Sequence, residues 1–142
     1  MRRIARSAIV ERSAESFYAL VSDIESYPEF LPWCAAARVH DGGRATLMLD
    51  LKGARYSLTT ENRSEPGRSI TMQLVEGPFR EFLAEWRFTP LGESAAKVEF
   101  SMAYEFSSGL LARALDPLFE RLADRTVDAF VRRAALRDET AR

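Results

Sequence analysis

Residues 98 to 106 carry the strongest constraint in the chain. Val98, Phe100, Met102, Tyr104 and Phe106 alternate with Lys97, Glu99, Ser101 and Glu105. Successive side chains of a strand point to opposite faces, so this period of two defines a strand with one buried face. The same period recurs upstream in Ala45, Leu47, Leu49 and Leu51, then in Tyr56, Leu58 and Thr60. It continues in Ile70, Met72 and Leu74, then in Phe82, Ala84, Trp86 and Phe88. Residues 35–40 form a weaker strand, and Ile9 and Val10 mark an N-terminal one over about residues 3–11. Asp41-Gly42-Gly43, Gly53, Pro66-Gly67, Gly77-Pro78 and Pro90-Leu91-Gly92 separate these runs. Connections that short join antiparallel neighbours, so the middle of the chain reads as a meander.

Two helical regions flank it. Ser13 and Glu15 form a cap for a helix whose apolar positions are Phe17, Leu20, Val21 and Ile24. Pro28 and Pro32 then restrict Tyr27 to Trp33 to a short helix or turn. The C-terminal helix is longer, capped by Ser107 or Ser108. Leu111, Leu115, Leu118, Phe119, Leu122, Val127, Phe130 and Ala134 give it a broad apolar face. Pro117 should kink that helix or mark its true start. An antiparallel sheet of six to seven strands must bury one face, and only this helix is large enough to cover it. The expected fold is α+β: a curved sheet gripping the long C-terminal helix, with two short helices after the first strand. At 142 residues the expectation is one domain, 1–142.

The inward positions are bulky: Phe82, Trp86, Phe88, Phe100, Tyr104, Phe106, Met72 and Met102. They either fill the core or line a hollow. An empty pocket of ~300 Å³ would cost ~7 kcal/mol, against a total stability of ~5–15 kcal/mol. Such a space would be collapsed, wet or occupied by an apolar ligand. The segment Tyr27-Pro28-Glu29-Phe30-Leu31-Pro32-Trp33-Cys34 is too broken for an ordinary amphipathic helix. It reads either as a rigid apolar lid or as a satellite cluster plugging one end of the sheet.

That octapeptide closely resembles a signature of the coenzyme-Q-binding family, which also includes the ribosome-association toxins. Glu76-Gly77-Pro78-Phe79 with Trp86-Arg87-Phe88, Tyr104-Glu105-Phe106, Pro117-Leu118-Phe119 and Val127-Asp128-Ala129-Phe130 agree with it. The resemblance spans about residues 3–136; one departure is Glu85, where members often carry glycine. It implies a helix-grip fold related to START domains, Bet v 1 and polyketide cyclases. It also implies an apolar tunnel for ubiquinone or a similar polyprenyl lipid, bound as cargo rather than as a catalytic cofactor. The lining would come from Tyr27, Phe30, Leu31 and Trp33 of the lid. Tyr56, Met72, Phe79, Phe82, Trp86, Phe100, Met102 and Tyr104 of the strands would join it, with Leu115, Leu118, Phe119 and Leu122 of the last helix. Tyr56 and Tyr104 are the candidates to orient a head group. In other members of the resembled family the role is binding the large ribosomal subunit and blocking subunit joining.

Catalysis and metal chemistry have little to stand on. The one histidine, His40, sits beside a Gly-rich turn with no partner or nucleophile in view. One histidine and one cysteine, Cys34, do not make a metal site, and a lone cysteine forms no internal disulfide. The expectation is a binding protein without catalytic residues, metal or catalytic cofactor. A net charge of −1 disfavours a general nucleic-acid binder, DNA included. A local patch is available: Arg121, Arg125 and Arg132 fall on one helical stripe, which Arg133 and Arg137 extend. The acids between them would lower its potential. The expected partners are a quinone-like ligand or the large ribosomal subunit, with transient membrane contact. The expected location is the cytoplasm, peripheral at the inner membrane, because no apolar run approaches a membrane span.

Overall fold

The structure is a computed structural model describing residues 1–141, with side chains through Leu136. Strand β1 (Arg2–Val10) is followed by α1 (Ala14–Ser22) and a 3-10 turn (Ile24–Glu29). A meander follows: β2 (Cys34–Val39), β3 (Arg44–Leu51), β4 (Ala54–Glu65), β5 (Ser69–Glu76), β6 (Phe79–Gly92) and β7 (Ala95–Phe106). Helix α2 (Gly109–Ala141) closes the chain. All neighbours pair antiparallel in the order β1-β7-β6-β5-β4-β3-β2. This is the expected helix-grip sheet, with seven strands.

The alternation determines what faces the helix. Along β7, Val98, Phe100, Met102, Tyr104 and Phe106 are all buried, and so are Phe82, Ala84, Trp86 and Phe88 along β6. In β1 the inward residues are Ile4 and Val10, whereas Ile9 points outward and is 75% exposed. On the outer face Glu85 pairs with Arg87 at 2.9 Å and Glu105 with Arg80 at 3.7 Å.

The local signals work as physical devices. Ser13 Oγ accepts from the Ser16 amide at 3.1 Å, capping α1, and Ser108 Oγ accepts from the Leu111 amide at 3.2 Å at the start of α2. Lys52 and Gly53, at φ 53° and 78°, form the two-residue turn between β3 and β4. Positive φ at both positions matches the twist of a tight hairpin. Pro117 does not mark the start of α2, which begins eight residues earlier and runs through it. A proline has no N–H to donate to the preceding turn, which opens the helix ladder there. Lys52 Nζ donates to the neighbouring Ala114 carbonyl at 2.9 Å, tying the hairpin tip to that weakened turn.

Candidate functional site: an apolar cavity between sheet and helix

Between the sheet and α2 lies a small, partly open cavity of about 50 Å³. Nine of the residues expected to line a pocket do so: Tyr27, Trp33, Met72, Phe82, Trp86, Phe100, Met102, Phe119 and Leu122. Leu47, Leu49, Leu58, Thr60, Ala84, Thr126 and Phe130 complete the wall. Five of those, Leu47, Leu49, Leu58, Thr60 and Ala84, carried the strand alternation, and Phe130 the helical one. Thr126 had no signal, being a polar residue on an apolar face.

The other seven lie elsewhere. Leu31 of the segment 27–34 is buried in the core, and Leu115 is buried in α2, without reaching the cavity. Leu118 and Tyr56 are half-buried beyond it. Phe30 packs edge-on behind Phe130 at 5.0 Å and faces outward. Phe79 stacks on Phe106 at 4.8 Å, and Tyr104 meets Phe119 edge-on at 4.7 Å. These rings seal one end of the core. Neither tyrosine suggested for a head group opens onto the cavity.

Its side-chain N–H and O–H donors are already occupied. Trp33 Nε1 donates to Thr126 Oγ1 at 3.0 Å, and that hydroxyl donates to the Leu122 carbonyl at 2.7 Å. Thr60 Oγ1 donates to Asn62 Oδ1 at 2.7 Å, and the Tyr27 hydroxyl donates to the Val21 carbonyl at 2.5 Å. No carboxylate, histidine or lysine lines the space. Its wall presents no acid–base pair, its side-chain donors are committed, and burial of apolar surface is the main attraction it offers. A space of 50 Å³ holds a water molecule or so, and engineered cavities that bind benzene are about three times larger. Any larger guest must displace part of the wall.

The titratable groups nearby are held neutral. Burial pushes the Tyr27 hydroxyl far above the usual tyrosine range, and the Cys34 thiol up to about 11. Burial, reinforced by Asp116, pushes Tyr104 up to about 12; its hydroxyl is buried without a hydrogen-bond partner among the described residues. His40 is exposed, with Nε2 2.8 Å from Thr46 Oγ1. Among the described residues no three His, Cys, Asp or Glu side chains group as metal ligands. No described helix is long and apolar enough to cross a membrane.

The outer face of α2 differs from the expectation of acids diluting an arginine stripe. Arg2 pairs with Asp116 and Glu120, and Arg6 with Asp124. These acids are drawn toward β1. Arg121, Arg125 and Arg132 are left exposed, with no ion-pair partner among the described residues. Asp128 and Arg132, four residues apart, do not pair. The Arg137 side chain lies outside the described residues.

A seven-stranded sheet gripping one helix around a small apolar cavity defines a helix-grip protein. The family model for polyketide cyclase / dehydrase and lipid transport matches residues 10–131. The ribosome association toxin RatA of Vibrio cholerae is 41% identical over 138 residues, covering 94% of this chain and 96% of that protein. RatA of Escherichia coli K12 is likewise 41% identical, over 94% of this chain and 87% of its own length. The mitochondrial coenzyme Q-binding protein COQ10 of Drosophila melanogaster is 25% identical, over 92% of this chain and 57% of its own. The chain belongs to the polyketide cyclase / dehydrase and lipid transport family, in the branch that holds RatA and COQ10. Among solved structures, the Zhui aromatase/cyclase from Streptomyces sp. R1128 superposes with a TM-score of 0.84 at 17% identity. That alignment covers 96% of this chain and 94% of the other, and shows the shared fold. Protein CC1736 of Caulobacter crescentus superposes at 0.76 with 29% identity, covering 98% and 99%.

Proposed function

We propose that this protein associates with the ribosome, without catalysis, as a regulator of the ribosome association toxin kind, and that the large subunit is its partner. The observation that carries the reading is the 41% identity to ribosome association toxins across 94% of the chain, against 25% to the coenzyme Q-binding protein. The surface offers the matching chemistry. With Asp116, Glu120 and Asp124 turned to Arg2 and Arg6, the unpaired Arg121, Arg125 and Arg132 form a cationic stripe. They lie on the same face of α2, about 16 Å apart end to end at ~1.5 Å per residue. Such a stripe suits RNA phosphates.

Sucrose-gradient sedimentation of tagged protein with ribosomal subunits tests this. Wild type should travel with the large subunit and dissociate as salt rises, because phosphate contacts release counterions. Arg121→Glu with Arg125→Glu should weaken that association about tenfold or more at fixed salt. Wild type remaining at the top of the gradient at low salt would overturn the reading. Full association by the double variant would move the contact off this stripe.

A second reading, binding of an apolar molecule such as a quinone in the interior, is favoured by one observation. The cavity wall is predominantly apolar, and its side-chain N–H and O–H donors are all engaged. The first reading uses the outer face of α2 and the second the interior beneath it.

A further inference from the structure

The lid has two sides. On its outer side a surface groove of about 470 Å³ runs between Phe30 and Pro32 of the lid and Arg125, Asp128, Arg132 and Arg133 of α2. On its inner side Trp33 and Phe130 line the cavity. Phe30 contacts Phe130 edge-on at 5.0 Å. One aromatic pair therefore separates an apolar interior from an arginine-lined exterior.

The groove is built for negative charge. The Arg133 guanidinium lies over the Phe30 ring, 5.1 Å from its centroid, and pairs with Glu29. Its Nε is buried and has no hydrogen-bond partner among the described residues. Charge-assisted hydrogen bonds from guanidinium groups to an oxyanion are among the strong ones, and this groove presents three such groups. Arg125 and Arg132 stand exposed alongside, with no ion-pair partner among the described residues. Three arginines thus face two carboxylates, Glu29 and Asp128, and Glu29 is already engaged.

The wall between groove and cavity is the part built without a strand ladder. The cavity's opposite side is locked into a hydrogen-bonded ladder of strands. The lid is fastened to α2 by the Trp33–Thr126 hydrogen bond, ring contacts of Phe30 and the Arg133 pair. A guest too large for 50 Å³ meets least resistance there.

We infer that the groove is the head-group site of an anionic amphiphile, a carboxylate or phosphate on a single alkyl chain that passes Phe30 toward the cavity. This rests on the second reading above, that the interior accepts an apolar molecule. It adds a demand for negative charge, which a neutral quinone does not meet.

Both tryptophans of the chain, Trp33 and Trp86, line the cavity, so their fluorescence reports occupancy. Wild type would be titrated at pH 8 with dodecanoate, dodecyl phosphate and dodecanol, each below its aggregation concentration. The two anions should bind tenfold or more tighter than the alcohol. Whichever anion binds tighter identifies the source, a fatty acid or a phosphate-headed lipid. Arg132→Gln with Arg133→Gln should reduce both anions to the level of dodecanol, and unchanged dodecanol binding certifies the variant's fold. Arg132→Gln alone, at an exposed position, should cost the anions at least threefold, and Arg121→Gln, outside the groove, nothing. Equal binding of all three probes by wild type would overturn the head-group site and leave the apolar reading intact. A preference that survives both glutamine variants would also overturn it. No binding of any probe would overturn both.

Discussion

The Trp33–Thr126 hydrogen bond allows a quantitative test of how the lid is held. Thr126 is buried and nearly isosteric with valine. In Thr126→Val the backbone of α2 keeps its ladder, and the two residues differ little in helix propensity. What is lost is the acceptor for Trp33 Nε1, now 3.0 Å away. A stranded indole N–H costs about 1–3 kcal/mol. The new methyl borders a 50 Å³ void and regains up to about 0.8 kcal/mol. The net loss should be about 0.5–2 kcal/mol, read from urea unfolding followed by far-UV circular dichroism. Trp33→Phe removes the donor instead, and the Thr126 hydroxyl keeps its bond to the Leu122 carbonyl. In the double variant nothing is stranded, so it should be about 1 kcal/mol more stable than the two single losses summed. Additivity to within about 0.3 kcal/mol would refute the claim that this bond fastens the lid.

Three further outcomes follow from the same coordinates. Cys34, buried with its pKa pushed up to about 11, should react with a thiol reagent at pH 8 at least about 100-fold more slowly than in the unfolded chain. Comparable rates in native buffer and in urea would contradict that burial. Cys34 and Tyr104 are acids whose folded pKa values lie above their unfolded ones of 9.0 and 10.0, so the unfolded chain releases its protons first. Stability should therefore fall as pH rises from 9 to about 12, seen as a declining urea midpoint, whereas a flat profile would refute it. Pro117→Ala should raise stability by about 1–3 kcal/mol by restoring a helix hydrogen bond, and a loss in the same urea assay would show that the opened turn is structurally required.

The elements were legible because each rests on a local cause. Period-two alternation needs only a buried face, and β3 and β7 follow it residue by residue, as β6 does from Phe82 to Phe88. The cap at Ser13 needs only a hydroxyl before a helix, and the turn at Lys52-Gly53 only a tight hairpin. What escaped was non-local. The reading of Pro117 as a possible helix start weighed the proline against its own helix. It had no view of Lys52, 62 residues away in the bond that ties down the neighbouring carbonyl. The arginine stripe looked diluted because the acids were counted along α2. In three dimensions Arg2 and Arg6 of β1 draw off Asp116, Glu120 and Asp124, across as many as 118 residues. Which strand lies beside a helix is decided by topology, and β1 reaches that place only because it pairs with β7.

The cavity was the least legible feature, and its size bears directly on function. Alternation identifies the bulky side chains that point inward, but not how they interlock. Trp86 lies 4.6 Å from Phe100 and 5.1 Å from Phe130, and Phe130 in turn meets Tyr27 at 5.4 Å. Rings packed that closely consume most of the space that their count suggests. At about 24 cal/mol per Å³ the remaining 50 Å³ costs about 1.2 kcal/mol, where a ~300 Å³ hollow would have cost ~7. The protein therefore needs no guest as a filler. An apolar ligand must instead overcome the ring contacts and the lid's hydrogen bond before it gains any burial, which reduces its affinity by the cost of opening. Arg121, Arg125 and Arg132 of α2 carry no such cost, being exposed and without an ion-pair partner among the described residues. A surface role is available to this fold in its resting state, whereas an interior one must first move the lid.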